Sequence, residues 1–523
     1  MRSRLFPPVR SWPRPSAYRS CRCSHDEWGA GGEATARPGT GARAAKLASA
    51  RRRELIAVAA LALAAVAVWA LVATYPSYDG YYHLVWGREI LAGRAPSLDA
   101  YQAPTEHPLY LAVATLLAAL VGDGADRAMV LLVALSLVAL VWAVFRTGRA
   151  VFGQWAGIVA ALLTGSSFAL LLYAARAYVD IPFLALVMWA AALEAERPRR
   201  GAAVTGLLAV AGLLRPEAWL LALASWAWCA WPRDGAGARR LRPGLLALAL
   251  AAPLAWALVD LAATGDPLWS LHATSELADE LGRERGVEHV PGALVSFLAD
   301  VLRPPVFVAS LAGLGLALRR RSALALHVPL ALLGAGLLTF LATGVAGLSI
   351  LPRYLTVPAL ALTLFAGWAA TGWLFEPGGS TVRRGWTRAV AILALAGLAF
   401  VAARATVVTR FVDEVRFIGG VHEDLVATLA DPAVRRARSC GPLTLPNYRL
   451  VPDTRWILDA PRSKVGARSA KRRDHGVALF FTDDKTLRRY GYAAGASRST
   501  NVPDPGFEPI ARHGRVAAYA ACP

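Results

Sequence analysis

The chain has 523 residues, of which 56% are hydrophobic and 18% are charged, whereas an average soluble domain carries roughly 25% charged residues. Its apolar residues form runs too long for ordinary core elements, which excludes a soluble globular protein and predicts a polytopic membrane protein. The net charge of +20 comes mainly from arginines in the N-terminal tail and in short loops, so nucleic acid is not an expected partner.

Residues 1–53 are rich in Pro, Gly, Ser and Arg, which predicts a disordered basic tail. Residues 54–74 follow as an apolar segment long enough to span a membrane, and we interpret them as an uncleaved first helix. Ten further membrane helices are predicted at 126–145, 151–174, 182–195, 202–214, 218–231, 244–262, 298–317, 323–343, 355–374 and 389–408. Arginine clusters then fall in alternate loops, which places the N-terminus in the cytoplasm.

The fold class predicted from this pattern is a polytopic α-helical membrane protein with about 11 transmembrane helices and a small C-terminal extracytoplasmic α/β domain. The transmembrane domain covers 54–409 and the soluble domain covers 410–523. A multi-pass protein of the plasma (inner) membrane is the expected location. Two helices are short for a full span, 202–214 and 218–231, and are expected to be tilted or partly re-entrant.

The first outer loop, 75–125, contains two predicted helices. Tyr81–Leu91 has the mixed polarity of a helix lying in the interface, and 108–121 is too short to span and is expected to dip into the outer leaflet. A later outer loop, 264–296, is acidic and is either an ordered flap over a site or a solvated connection.

The C-terminal domain is expected to begin with a helix over 412–430. Strands are predicted at 442–445, 477–482 and, as a hairpin, about 508–520, with a basic loop at 461–475. Cys440 precedes the first strand and Cys522 follows the last. Adjacent strand ends outside the cytoplasm would allow these two cysteines to form a disulfide.

Ionisable groups near a membrane are costly, so each is a candidate functional residue. Asp79 lies in Y-P-S-Y-D-G-Y-Y-H, together with Tyr82 and His83. A carboxylate among aromatic side chains can have a raised pKa and serve as a general base. The alternative, compatible with catalysis, is that Asp79 caps a helix over Gly80–Leu91.

Asp180 lies in A-R-A-Y-V-D-I-P, four residues after Arg176. The two form either an interfacial salt bridge or part of a site in which Asp180 is a second acidic group. Arg215 and Glu217, in L-L-R-P-E-A-W, interrupt apolar sequence between two short helices and suggest a polar cavity at membrane depth. Arg353, in L-P-R-Y-L-T-V-P, could hold a lipid phosphate or could simply extend to the interface.

These motifs, in this order, resemble the GT-C superfamily of membrane glycosyltransferases, which includes protein O-mannosyltransferases and the aminoarabinose transferase of lipid A. The resemblance covers roughly 54–410 and includes H-P-L-Y at His107–Tyr110. It departs from the family pattern in two places: Gly80 follows Asp79 where a second acid is common, and His107 replaces a proline.

The resemblance implies a hexosyl- or pentosyltransferase that takes its sugar from a polyprenyl-phosphate donor and passes it to a hydroxyl of a glycan, lipid or protein acceptor. Asp79 would be the catalytic base, and Asp180 would be a second acidic residue of the catalytic site, shaping the acceptor or donor site. Arg353, together with Arg215, would bind the donor phosphate. Some members of the family use a divalent metal and others do not. Because position 80 is glycine, the metal-independent alternative is favoured, and no other cofactor is expected.

Two rival functions remain open at the sequence level. A transporter or lipid flippase would also carry buried charges, but no internal repeat supports one. A non-catalytic membrane scaffold would use its soluble domain to recruit a partner.

Overall fold

The computed structural model describes residues 40–231, 242–404, 406–491 and 498–522. The predicted disordered tail therefore lies mostly outside the described residues, as does the arginine cluster at Arg233, Arg239 and Arg240. Residues 57–523 form one compact unit, to which all the contacts discussed below belong.

The first part of this architecture is helical. In chain order the helices are α1 (Thr40–Leu71), α2 (Tyr78–Leu91), α3 (Pro108–Val121), α4 (Ala125–Phe152), α5 (Gln154–Gly165), α6 (Phe168–Ala175), α7 (Asp180–Glu196), α8 (Ala202–Gly212), α9 (Glu217–Ala230), α10 (Pro243–Thr264), α11 (Trp269–Glu280), α12 (Val290–Leu302), α13 (Pro304–Arg320), α14 (His327–Val345), α15 (Thr356–Thr371), α16 (Thr381–Ala403) and α17 (Thr406–Ala430). The acidic segment 264–296 contains α11.

Six helices in the described residues are long and apolar enough to cross a membrane, or up to eight if each of two bent helix pairs forms one span. The protein is therefore a multi-pass membrane protein, while the predicted count of about 11 spans is not confirmed. The shortfall lies in α7, α8 and α9, which have 17, 11 and 14 residues. A full span needs about 20 residues.

Two predicted spans are broken. The segment predicted as one helix over 151–174 bends by 56° between α5 and α6, and α12 meets α13 at 108°. The straight helix predicted over 298–317 is therefore wrong. Arg303 has a φ of 69° and Pro304 begins α13, so the chain turns where a proline cannot continue the preceding helix.

Helix α15 lies at the centre of the membrane part, with all but one of its 16 residues buried. Helix α13 packs closely against it at Gly313, where a Cβ atom would lie 2.0 Å from the carbonyl oxygen of Phe365. Only glycine allows this approach, because small residues bring helix backbones together in membranes. The adjoining turn Pro352–Leu355 carries Arg353 and is thereby fixed to the core.

The C-terminal part contains a five-stranded sheet of order β2–β1–β3–β5–β4. Its elements are α18 (Pro432–Ala437), β1 (Leu443–Leu445), α19 (Val451–Leu458), β2 (Val465–Ala467), β3 (Gly476–Phe481), α20 (Asp484–Thr486), β4 (Glu508–His513) and β5 (Val516–Ala521). Strand β1 is parallel to β2 and β3, whereas β5 is antiparallel to β3 and β4. The prediction of an uninterrupted loop at 461–475 is wrong, because β2 lies there.

Cys440 and Cys522 form a disulfide, with Cα atoms 5.1 Å apart. Their strands explain the proximity: Gly476 at the start of β3 pairs with Ala521 at the end of β5, beside the start of β1. The bond therefore joins the two ends of the sheet-forming segment.

Helix α2 is largely covered by the rest of the protein, since nine of its residues are buried. It packs against α3 and against α19 of the C-terminal part. The Arg455 guanidinium donates to Glu89 at 2.6 Å, and Arg88 lies over the Trp456 ring, 3.3 Å from its centroid. The polar residues that suggested an interfacial helix are thus partners for the C-terminal part.

Candidate active site

Asp79 lies in the first turn of α2, at the end of the helix closest to Arg353. Ser77 caps this helix by accepting a hydrogen bond from the backbone N–H of Gly80, so the predicted capping role of Asp79 is wrong. The Asp79 carboxylate is therefore not committed to the helix terminus. Its Oδ2 atom lies 3.5 Å from Nη1 of Arg353, and the two side chains are 15% and 26% exposed.

The electrostatic surroundings favour a basic carboxylate at Asp79. Burial raises the pKa of Asp79 above its ordinary value, the guanidinium of Arg353 lowers it, and the negative charge of Asp180 raises it again. The net direction is upward. A carboxylate whose pKa is raised toward the working pH is a better proton acceptor than an ordinary aspartate.

A second charged cluster is formed by Asp180, Arg215 and Glu217, which are 0%, 4% and 7% exposed. Arg215 makes an ion pair with Oδ1 of Asp180, and its Nε donates to Glu217 at 2.9 Å. The three residues come from the start of α7, the turn after α8 and the start of α9. The N–H groups of Arg215 thus donate to two carboxylates, so in this conformation the Arg215 guanidinium is not available to bind a phosphate.

The two clusters adjoin each other. The guanidinium carbons of Arg215 and Arg353 lie 5.2 and 5.7 Å from the ring centroid of Tyr354. The structure therefore brings together Asp79, Asp180, Arg215 and Arg353, as the sequence analysis expected. Among the residues described, the polar cavity expected around Arg215 is instead a closed ion-pair cluster.

Arg176 does not pair with Asp180, although the two lie four residues apart. It donates to the backbone oxygen of Pro76 at 3.0 Å, while the backbone N–H of Ser77 donates to its carbonyl at 2.7 Å. Arg176 therefore fixes the segment that precedes α2. Of the two alternatives for Asp180, the salt bridge with Arg176 is wrong, because Arg215, distant in sequence, reaches Asp180 instead.

His83 and His107 connect α2 to the start of α3. His83 donates from Nδ1 to the backbone oxygen of Asp79 at 2.7 Å, and its Nε2 accepts from the backbone N–H of His107 at 3.2 Å. Burial lowers the pKa of His83 to about 4, so the ring is neutral and this hydrogen-bond pattern fixes its tautomer. His83 holds the first turn of α2, and with it Asp79, in place.

Tyr82 is buried in a small cluster with Trp86, Leu98 and Leu111. Its ring lies edge-on to Tyr78 at 5.9 Å, and Tyr78 in turn contacts Tyr448 of the C-terminal part at 5.5 Å. These aromatic contacts join the helix that carries Asp79 to the C-terminal part.

Two residues near the site were not singled out from the sequence. Arg283, in the segment after α11, lowers the pKa of both Asp79 and Tyr78 by its positive charge. Glu106 is 3% exposed, and burial beside Asp260 raises its pKa to about 8. The signal for Arg283 was its place as one of two arginines, with Arg285, in a predominantly acidic loop. Nothing in the sequence paired Glu106 with Asp260.

Among the described residues, no group of three or more His, Cys, Asp or Glu side chains is arranged to hold a metal ion. The carboxylates of the site instead face arginines. At Asp79 the structure offers a metal ion a single carboxylate, which lies beside a guanidinium and is followed in sequence by Gly80.

Comparison with known proteins identifies one matching family. The model of the family described as dolichyl-phosphate-mannose-protein mannosyltransferase matches residues 103–258. The structure of ArnT from Cupriavidus metallidurans bound to undecaprenyl phosphate is 17% identical, with a TM-score of 0.49 over 90% of this chain and 99% of that chain. The structure of the same protein in the apo state is 16% identical, with a TM-score of 0.49, and the match covers 91% of this chain and 100% of that chain. No curated protein sequence matches the chain significantly.

The matched residues contain H-P-L-Y, Asp180, Arg215 and Glu217, which are among the positions that suggested the resemblance. Asp79 and Arg353 lie outside the matched residues. Over residues 103–258, the family match confirms the resemblance to the GT-C superfamily of membrane glycosyltransferases.

Proposed function

We propose that this membrane glycosyltransferase transfers a sugar from a polyprenyl-phosphate-linked donor to an acceptor hydroxyl at the outer face of the plasma (inner) membrane. The observation that carries the proposal is the pairing of Asp79 with Arg353. A partly exposed carboxylate beside a partly exposed guanidinium supplies a proton acceptor and a phosphate ligand within one site. The description of the matched family, which names a polyprenyl-phosphate sugar, supports the donor class.

In the proposed reaction Asp79 removes the proton from the acceptor hydroxyl. The hydroxyl oxygen forms a bond to the anomeric carbon of the donor while the bond from that carbon to the phosphate oxygen breaks. The polyprenyl phosphate departs with the electron pair, and its negative charge is stabilised by Arg353. Attack opposite the leaving group inverts the anomeric centre.

Donor binding would also activate the base. Arg353 stabilises the ionised form of Asp79 by its positive charge. A donor phosphate that draws the guanidinium toward itself weakens this stabilisation, so the pKa of Asp79 rises and the carboxylate becomes a stronger proton acceptor. Proton removal by Asp79 is thereby favoured only when the sugar donor is bound.

We assign Asp180, Arg215 and Glu217 to positioning rather than to phosphate binding. Arg215 is already neutralised by two carboxylates, and it is buried. We assign Arg283 as the second phosphate ligand, because it lies in the segment after α11 and its positive charge acts on both Asp79 and Tyr78. The proposed reaction requires no metal, since arginine charge replaces metal charge at the departing phosphate.

The test is sugar transfer by the purified full-length protein from polyprenyl-phosphate donors that carry radiolabelled hexoses or pentoses, with membrane extracts as the acceptor source. We expect label to move from the donor lipid into product, and we expect Asp79→Asn to abolish this transfer. Asp123→Asn is the matched control, because Asp123 is an exposed carboxylate of the same outer region. Movement of intact donor across a vesicle membrane without glycosidic product would instead indicate a transporter.

A further inference from the structure

A cavity of about 490 Å³ lies among helices α7, α8, α9 and α14 of the membrane part. This volume falls within the range of roughly 300–1,000 Å³ that is typical of sites for small molecules. The walls are mostly apolar and include Val187, Leu208, Leu221 and Leu332. Such a lining suits the hydrocarbon part of a ligand.

The cavity reaches the outside of the helix bundle between α9 and α14. Ala224 and Ala227 of α9 and Ala331 of α14 line the cavity and are exposed. Small side chains leave space between neighbouring helices, and the outside of the helix bundle of a multi-pass membrane protein faces lipid. A hydrocarbon chain can therefore enter the cavity sideways from the bilayer.

The polar end of the cavity lies far from the candidate active site. Glu194 follows Asp180 by 14 residues on α7, which corresponds to about 21 Å along the helix axis. At this end the guanidinium carbon of Arg199 lies 4.7 Å from the ring centroid of Trp228, and Trp231 is 56% exposed. Tryptophan and arginine are typical of the membrane–water interface. This end therefore suits a lipid headgroup at the membrane face opposite the candidate active site.

The carboxylate of Glu194 is only half satisfied. Its Oε1 atom accepts from the backbone N–H of Arg199 at 2.7 Å and from the indole N–H of Trp228 at 2.8 Å. Glu194 is 8% exposed, and its Oε2 atom has no hydrogen-bond partner among the described residues. A buried acceptor without a donor is costly, so the site favours a ligand that brings one.

His327 presents a second acceptor at the same place. Its Nδ1 atom lies 2.8 Å from the carbonyl oxygen of Leu324, so the neutral ring carries its proton on Nδ1 and a lone pair on Nε2. Nε2 lies 3.6 Å from Oε1 of Glu194 and has no hydrogen-bond partner in the described part of the chain. Two acceptors therefore converge on one end of an apolar cavity.

A primary ammonium group supplies what these atoms lack. It has a positive charge for the carboxylate of Glu194 and three N–H donors, enough for both Oε2 and Nε2 of His327. Arg199 lies beside them in the basic segment R-P-R-R at 197–200 and donates one N–H to the backbone oxygen of Trp231 at 2.7 Å. A guanidinium has five N–H donors, so Arg199 can also bind a phosphate.

From these observations we propose that the cavity is a binding site for a membrane phospholipid with a primary-amine headgroup. An acyl chain occupies the apolar cavity, the ammonium group pairs with Glu194 and His327, and the phosphate lies near Arg199. The site is separate from the proposed glycosyl transfer, because it contains neither Asp79 nor Arg353. The lipid would hold together the ends of α7, α9 and α14 at this membrane face.

The test is lipid binding to the delipidated full-length protein in detergent, measured by native mass spectrometry. The probes are phosphatidylethanolamine, phosphatidylcholine and phosphatidylglycerol with identical acyl chains. Phosphatidylethanolamine should bind about tenfold or more tightly than the others, because phosphatidylcholine has the charge without N–H donors and phosphatidylglycerol has no ammonium group. Equally tight binding of either other lipid, or no binding of phosphatidylethanolamine, would overturn the proposal.

The variant Glu194→Gln keeps the size of the side chain and one acceptor oxygen but removes the charge. It should weaken binding of phosphatidylethanolamine about tenfold or more. Glu196→Gln is the matched control, because it removes the same charge from α7 at a residue that pairs with Arg146 and does not line the cavity. Unchanged binding by Glu194→Gln would refute the site.

A second variant keeps the test decisive if Glu194→Gln fails to fold. Ala331→Trp places a large side chain at an exposed position of the cavity lining without changing any charge. It should abolish binding of phosphatidylethanolamine by filling the space that the acyl chain needs. Wild-type binding of phosphatidylethanolamine by folded Ala331→Trp would show that the lipid binds elsewhere.

Discussion

Two charged clusters lie side by side in this protein and differ in how completely their charges are satisfied. Asp79 and Arg353 are partly exposed, and their closest atoms are 3.5 Å apart. Asp180, Arg215 and Glu217 are buried and held by close ion pairs. The first pair can exchange its partner for a ligand at modest cost, whereas the second cannot lose a member without leaving a charge unpaired in a low-dielectric site. The differences in exposure and in ion pairing therefore distinguish the residues proposed to react, Asp79 and Arg353, from the buried residues that position them.

The clusters are also coupled. The charge of Asp180 raises the pKa of Asp79, so the buried cluster contributes to the basicity of the proposed catalytic carboxylate without touching substrate. Loss of the Asp180 charge should therefore reduce the rate of sugar transfer less than loss of Asp79 itself. The following changes break or sharpen this distinction, from the largest expected effect to the smallest.

Arg215→Met should cause the largest loss of stability. It would leave Asp180 and Glu217 buried without a cation, which costs about 3–5 kcal/mol. The measurement is thermal unfolding in detergent, followed by the yield of folded protein. Arg215→Met combined with Asp180→Asn and Glu217→Gln removes the orphaned charges and should recover much of the loss. No recovery in the triple variant would contradict the ion-pair explanation.

Arg353→Gln should weaken use of the donor while leaving stability nearly unchanged. Loss of one hydrogen bond to a charged group costs about 1.5–3 kcal/mol, which corresponds to roughly a 10- to 100-fold increase in KM for the donor. Steady-state transfer at varied donor concentration is the measurement. Arg94→Gln removes an exposed arginine of the first outer loop and serves as the control. A wild-type KM for the donor in Arg353→Gln would contradict the assignment of Arg353 as a ligand of the donor phosphate.

Glu106 provides a pH-dependent contrast, because its neighbour is the carboxylate of Asp260 rather than a cation. Its pKa of about 8 lies above the ordinary glutamate value, so the folded state binds more protons than the unfolded state between those two values. Stability should therefore fall as pH rises from about 5 to about 8. Unfolding measured at pH 6 and at pH 9 tests the slope, and Glu106→Gln should reduce it. A gain in stability of the wild-type protein over this pH interval would contradict the prediction.

Chelation should have the smallest effect. Transfer by the wild type should continue at its original rate after treatment with EDTA, because the proposed leaving-group stabilisation comes from arginines. The measurement is the transfer rate before and after EDTA, with and without added magnesium or manganese. Loss of activity that a divalent cation restores would show that the proposed mechanism lacks a component.

The sequence was informative where one residue or one short pattern determines the local structure. Pro108 and the apolar run after it predicted α3 to the residue, and isolated charges in apolar surroundings pointed to Asp79, Asp180, Arg215 and Arg353. A charge near a membrane is conspicuous because it is costly to place there. The fold class and the candidate residues could therefore be predicted.

Partner choice could not be predicted in the same way. Asp180 has Arg176 four residues before it but pairs with Arg215, and only the packing of α7 against α8 and α9 determines this. Strand β2 was missed because three residues, Val465–Ala467, are too few to show alternation. The bend before Pro304 was visible as a pair of prolines in the sequence but was outweighed by the apolar run around it.

The most direct test of the distinction between the clusters compares Asp79→Asn with Asp180→Asn in two assays, single-turnover sugar transfer and thermal unfolding. The account predicts that Asp79→Asn loses about two to four orders of magnitude in rate with little change in unfolding temperature, since a general base contributes about that much. Asp180→Asn should lower the unfolding temperature and retain more activity per folded molecule. Wild-type turnover by folded Asp79→Asn would contradict the central claim.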